Sequence, residues 1–350
     1  MSPAPPGAQT AAPFRSSSSA PSQSDRRRGY SASVPELAGK VANAFAERIR
    51  EQEDDILSPF AVPSYATSGR PRDEEECRLR TPFQRDRDRI LHSKAFRRLK
   101  GKTQVFIDPA GDHYRTRMTH TLETSGIARV VARALRLNED LTEAIGLGHD
   151  MGHPPFGHAG ENELDRCLHE RFGGSFRHNE HSWRIAEALN LTAEVCNGIL
   201  THTGEREPAS LEGKIVRLVD RVAYINHDID DAIRFGILDP KQLPREEIEL
   251  LGSTGSRRID TLVHDLVETS ERAGEIEQSD HVGRAMLALR SFMFERVYLG
   301  AHVADEHERA RRAVRRMFDH LAGRGDDERE ITDFIAGMTD RFALSYAEEL

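Results

Sequence analysis

Eight of the sixteen histidines fall between His113 and His181, and imidazole both titrates near neutrality and binds divalent metals. His120 closes the run Arg117-Met118-Thr119-His120 at the start of a helical pattern. His149 and Asp150 are adjacent at the end of a second helix, which must stop before Pro154-Pro155. Asp220 stands further on, in a long amphipathic stretch. Two imidazoles and two carboxylates form a mixed N/O set that suits Mn²⁺, Fe²⁺, Mg²⁺, Co²⁺ or Zn²⁺ and selects none of them. Four protein ligands leave an octahedral ion open positions for water and substrate, as hydrolysis requires. Singly each residue is weak: an isolated histidine is usually an ordinary polar residue, and a His-Asp pair is common by chance.

The element that must position Asp220 is the clearest in the chain. Leu211, Ile215, Leu218, Val222, Ile225, Ile229 and Ile233 recur at intervals of three or four, an apolar stripe along a helix of about six turns. Asp220, Tyr224 and Asp228 follow i, i+4, i+8 on another face. A solvated polar face is the plain reading of such a line, although a Tyr between two Asp is unusual for one. No alternating strand pattern and no internal repeat is present. Beyond about residue 235 the chain predicts helices near 244–251, 258–272, 282–301, 304–323 and 328–348, with no chemistry-bearing motif among them.

Residues 1–30, rich in Ser, Pro, Ala and Arg, read as a disordered tail. A linker with a short helix around 35–53 and a Pro/Gly-punctuated stretch near 58–71 occupies 31–74, so the folded domain is expected from about residue 75 to 240, with a helical C-terminal region from 241 to 350 packing on it. Neither an apolar leader nor a membrane-length apolar run occurs. Three cysteines, an odd number without close pairs, argue against a disulfide framework and a Cys-rich zinc site and suit a reducing cytoplasm. The net charge of -9 speaks against general coating of nucleic acid, yet residues 78–102 hold ten Lys/Arg and two Asp. Such a local basic cluster suits a small polyanion. For most of the arginines in 85–98, a helix with exposed salt bridges is an equal reading.

The run His149-Asp150-Met151-Gly152-His153-Pro154-Pro155-Phe156-Gly157-His158-Ala159-Gly160-Glu161 resembles the central motif of the deoxyguanosine triphosphate triphosphohydrolases, members of the HD superfamily. Upstream, the resemblance takes in Arg85 to Ser93, Lys102-Thr103-Gln104-Val105-Phe106 and Arg115 to Glu123; downstream, it takes in His178-Asn179-Glu180 and the segment from Leu211 through Asp231. It covers roughly 80–240. Met151, Pro154 and His181 stand where the family more often has Leu, Thr and Gln; none is a proposed ligand or catalytic group.

The resemblance implies an all-α HD-domain helical fold with additional C-terminal helices. It implies that His120, His149, Asp150 and Asp220 ligate a divalent metal ion, with Mn, Mg or Fe foremost. His158 would be the catalytic histidine, oriented by Glu161, with His178 completing the group; whether His158 acts as acid or base stays open. Arg117, Arg221 and Tyr224 would contact the triphosphate or the sugar, and Gln104 and Asp228 the deoxyribose, with the Tyr224 ring helping to exclude a 2′-hydroxyl. The implied reaction releases a deoxynucleoside and intact triphosphate from a dNTP. A dNTP activator and a homo-oligomer (tetramer or hexamer) are further expectations from relatives, and the basic cluster over 78–102 is compatible with binding of single-stranded DNA. Two rival readings remain at this stage: another HD-domain nucleotide phosphohydrolase, and a vestigial dNTP- or single-stranded-DNA-binding protein.

Overall fold

The computed structural model describes residues 44–104, 115–298 and 300–350, apart from the side chains of 301–303. The expected tail over 1–30, the first part of the helix expected over 35–53, and Val105-Phe106 lie outside them. Among the described residues the fold is helical, and the only extended pairing is an isolated bridge between Thr103 and Thr116.

The helices are α1 (Phe45–Ile56), α2 (Pro82–His92), α3 (Lys94–Arg98), α4 (Arg117–Ala134), α5 (Glu139–Gly148), α6 (Gly157–Phe172), α7 (His178–Ala188), α8 (Ala193–Thr201) and α9 (Leu211–Arg234). They are followed by α10 (Arg245–Leu251), α11 (Gly255–Ala273), α12 (Asp280–Met293), α13 (Ala301–Arg324), α14 (Glu328–Ala336) and α15 (Asp340–Glu349). Local chemistry explains several starts. Thr81 and Gln84 close a capping box at α2, with Pro82 in the first turn. Thr116 and Thr119 do the same at α4, and Asn138 and Ser210 cap α5 and α9. The helix expected over 282–301 ends at Met293 and continues as a π-helical segment, Phe294–Tyr298. The one expected over 328–348 divides at Gly337–Thr339, where Thr339 caps α15.

Helix α9 passes through two cores. Ile215, Val216 and Val219 pack with α2, α4, α5 and α8. Val222, Ile225, Ile229 and Ala232, one to three turns on, pack with α10, α11 and α12. A third core joins α6 to α13, α14 and α15 through Leu164, Cys167, Val314, Met317 and Ile335. The long apolar stripe is therefore a spine shared by two layers, and α6 is held from behind by the C-terminal helices.

Residues 57–74, expected to act as a linker, carry specific ties to these helices. Ser58 N donates to Arg136 O at 2.7 Å, and Val62 N to Glu212 Oε1 at 3.0 Å. Arg70 pairs with fully buried Asp86, whose other oxygen accepts from Thr192 N at 2.8 Å. The basic run is extensively ion-paired: Arg85 and Arg89 meet Glu74, Arg80 meets Asp88, and Arg87 meets Asp88 and Glu143. The salt-bridged reading of this stretch is the one its geometry favours.

Candidate metal centre and its surroundings

Three helices and the turn after one of them bring the proposed ligands together. His120 lies in the first turns of α4, His149 caps the C-terminus of α5, Asp150 follows it, and Asp220 lies mid-way along α9. Packing of α4, α5 and α9 around the first core fixes their approach. His120 Nε2 is 3.0 Å from Asp220 Oδ1; His149 Nε2 is 3.6 Å from both Asp220 Oδ1 and Asp150 Oδ1. Two donors bound at right angles to one ion at about 2.1 Å stand about 3 Å apart, so this spacing fits neighbours around one centre.

His149 Nδ1 donates to Gly146 O at 2.7 Å, and its Nε2 is buried without a hydrogen-bond partner; burial opposes its ionisation, but Asp150 and Asp220 push this imidazole up to about 9. That orphaned nitrogen is what a ligand position looks like. Burial opposes ionisation of Asp150 and Asp220, but the adjacent imidazoles, with Arg117 beside Asp150, outweigh it and hold both carboxyls below their ordinary range. The group fits a divalent cation.

Next to these residues lies the second expected group. Phe156, with φ +66°, and Gly157, with φ +56°, form a left-handed step between the HD turn and α6. The step aims the first turn of α6 at the centre, and left-handed backbone is costly for a bulky residue such as Phe. Gly152 packs so closely on α7 that a Cβ there would stand 2.2 Å from Ser182 N and 2.6 Å from His178 O. His158 sits on the rim, its side chain 75% exposed, with Nδ1 3.4 Å from Glu161 Oε2. Glu161 Oε1 accepts from His178 Nδ1 at 2.8 Å and from His178 N at 2.9 Å. Burial of Glu161 is outweighed by His178 and His158, which keep it ionised. Glu161 thus touches both histidines and holds His178 more tightly than His158.

The residues expected to meet substrate are arranged less simply. Arg117 is buried and donates from Nη1 to Asp150 Oδ2 at 2.8 Å, so its guanidinium backs a candidate ligand, while its Nε is buried without a partner. Gln104 Oε1 is buried without a partner. Tyr224, Asp228 and Arg221 share α9 with Asp220. Tyr224 Oη accepts from Arg290 Nε at 2.8 Å, and Asp228 Oδ2 accepts from the Tyr298 hydroxyl. Burial pushes Asp228 up to about 7 against that hydrogen bond.

Sequence reasoning missed Arg290 and Tyr298, in a region expected to carry no chemistry. Their one signal is the line Arg290-Phe294-Tyr298, in which the guanidinium lies 4.9 Å over the Phe294 ring. His202 and His153 were also missed as site residues. His202 caps α8, donates from Nδ1 to Ile199 O at 2.7 Å, and lies 3.2 Å from His178 Nε2. Burial and the neighbouring imidazoles depress it to about 3, so it stays neutral. His153 stacks on His178 at 4.0 Å, with Nε2 3.8 Å from Asp150 Oδ1. His202 sits in Leu200-Thr201-His202-Thr203, a string that carries no signal until α8 is folded.

Comparison with known proteins places the chain in a family. The HD domain model matches residues 117–225, the span that contains all four candidate ligands, and the phosphohydrolase-associated domain model matches 276–327 and 322–349. A deoxyguanosinetriphosphate triphosphohydrolase-like protein of Caldanaerobacter subterraneus is 50% identical over 87% of this chain and 95% of its own. Proteins of the same name from Desulfatibacillum aliphaticivorans and Clostridium perfringens are 43% and 44% identical, over 87% and 85% of this chain and 97% and 95% of theirs. The chain belongs to the deoxyguanosinetriphosphate triphosphohydrolase-like family of HD-domain phosphohydrolases.

Proposed function

We propose that this chain hydrolyses deoxynucleoside triphosphates to deoxynucleoside and inorganic triphosphate, using a divalent metal held by His120, His149, Asp150 and Asp220. The observation that carries the reading is the arrangement along α9. One helix supplies the metal carboxylate Asp220, then Arg221 beside it, then Tyr224 and Asp228 one and two turns on. This suits a phosphate at the ion and a sugar further along the same groove.

A bound divalent ion would supply Lewis-acid activation and neutralise phosphate charge. The chain's own residues do the rest. Arg117 fixes the Asp150 carboxylate through a buried charge-assisted bond. His158, exposed on the rim and steadied by Glu161, is placed to hand a proton to the leaving 5′-oxygen or take one from the attacking water. Arg221 and Arg290 are permanently charged groups for the phosphate chain. Asp228, whose Oδ2 takes the Tyr298 proton, keeps Oδ1 as an acceptor for the sugar hydroxyl, and the Tyr224 ring, braced by Arg290, limits room at the 2′ position.

The test is a product assay with each dNTP, alone and mixed, in Mn²⁺ or Mg²⁺. Deoxynucleoside plus intact triphosphate supports the reading, and stimulation in a mixture identifies an activator. Release of only monophosphate, pyrophosphate or orthophosphate replaces it with another nucleotide phosphohydrolase activity. Affinity for single-stranded DNA that falls with salt, with no turnover in any mixture, replaces it with a binding role.

A further inference from the structure

We infer that a cleft between α3, α7 and α14 is a binding site for inorganic phosphate. A cavity of about 230 Å³ opens there, lined by Arg98, Lys102, His181, Arg184, Arg329 and Asp333 among others. Four basic side chains and a histidine thus face one carboxylate. None of the candidate metal ligands lines this cavity, nor does any residue assigned above to substrate, so the site stands independently of the proposed reaction. Two of the three departures from the family pattern, Met151 and His181, do line it. Its chemistry is therefore this chain's own.

The floor of the cavity is a buried ammonium short of counter-charge. Lys102 donates to His153 O and, at 2.7 Å, to Ala336 O. Both acceptors are neutral carbonyls, and an ammonium has a third N–H to place. Asp340, the carboxylate that acts most strongly on it, gives its own oxygens to Thr103 and Phe156. Burial, with Arg117 and Arg98 nearby, presses Lys102 down to about 7. Buried charges are ordinarily paired, and an anion in this cavity would supply the missing partner.

The walls repeat the imbalance. Asp333 is shared by Arg184, by His181 Nε2 at 3.3 Å and by Arg329 Nε at 3.7 Å. Arg184 Nε is buried with no partner. Arg98 has no carboxylate partner among the described residues, and its Nη1 lies over Gly337, where a Cβ would stand 3.0 Å from it. Donors from α3, α7 and the segment after α3 therefore remain for one acceptor. Phosphate oxygens take charge-assisted bonds from guanidinium and ammonium groups alike. No Phe, Tyr or Trp lines the cavity, so it offers no platform on which a base could stack. This favours the free ion over a nucleotide. The competing reading is a salt-bridged cleft in which Asp333 alone balances the arginines, and it predicts no anion binding.

The site is wired to the turn between α5 and α6. Lys102 holds His153 O, and His181 Nδ1 donates to Gly152 O at 2.9 Å. A phosphate joining Lys102 to Arg98 and Arg184 ties that turn to α3 and α7, and its binding stabilises the folded chain.

The experiment titrates the full chain, as purified into phosphate-free buffer, with inorganic phosphate. Calorimetry measures the affinity, and thermal unfolding is followed at the same phosphate concentrations. Saturable binding that raises Tm supports the site, provided folded Arg98→Gln and Arg184→Gln each bind about tenfold or more weakly and Arg221→Gln, altered in the groove along α9, binds as the unaltered chain does. No binding by the unaltered chain overturns the proposal. So does binding that survives in both cavity variants, or that is lost with Arg221→Gln, since either places the anion elsewhere. Arg98 is exposed at the end of α3, so its variant keeps the test open if Arg184→Gln fails to fold.

Discussion

The four candidate ligands divide the work with His158, and single substitutions separate the two roles. Asp220→Asn removes a carboxylate from the centre of the group, so bound metal and turnover are lost together. His158→Ala leaves that group intact, because His158 stands on the rim. Turnover then falls about 10²–10⁴-fold while metal content, read by elemental analysis, is unchanged; loss of metal from this variant would refute the assignment. Asp228 makes a different prediction. Its folded value of about 7 lies above the roughly 3.9 of an unfolded Asp. Between those values the folded chain holds the extra proton, so this group lowers stability as pH rises from about 4 to about 7 and leaves it lowered above. Asp228→Asn keeps the hydrogen-bond shape without the charge. Its stability relative to the parent should be more favourable at about pH 8 than at about pH 4 in urea unfolding; an equal difference at both pH values would sink the explanation. The candidate ligands His120, His149, Asp150 and Asp220 are each weak alone and were reached through the resemblance of the longer runs around them. His202, Arg290 and Tyr298 were not legible, since each reaches the site through the packing of an otherwise ordinary helix.

At the level of elements, α9 was the easiest to read and for a physical reason. A spine that feeds two cores needs apolar residues over its whole length, so its periodicity is strong. The C-terminal helices were found approximately, with their breaks misplaced. Gly337 and Thr339 end one helix and cap the next, signals easily lost in a charged run. The stretch at 57–74 looked like a linker because its ties are polar and distant in sequence, and no periodicity advertises them. Asp86 tests how much those ties matter. It is fully buried between Arg70 and Thr192, so Asp86→Ala leaves a guanidinium partly unpaired and should cost about 3–5 kcal/mol. Thermal unfolding would measure it, and a cost below about 1 kcal/mol would place the pair with weakly contributing surface bridges.

Across the whole molecule, the turn that leads into α6 and His158 is clasped to the C-terminal helices. Asp340 Oδ2 accepts from Thr103 N and Thr103 Oγ1, both at 2.8 Å, and Asp340 Oδ1 accepts from Phe156 N at 3.0 Å. Fully buried Lys102 donates to His153 O and, at 2.7 Å, to Ala336 O. Asp340→Ala orphans two backbone donors, at about 1–3 kcal/mol each, and frees the left-handed step that aims His158. Because slight misplacement of a reacting group is expensive, kcat should fall on the order of 10²-fold with metal content unchanged. Unaltered kcat in a folded variant would show that the step holds itself. This clasp also sets an order of assembly. The four candidate metal ligands are all synthesised before Asp340, so on the proposed reading a nascent chain can gather its ion while the turn bearing His158 is still unbraced. Reactivity then arrives with the distal helices, and a protease cut ahead of α15 should leave an ion-loaded but idle protein.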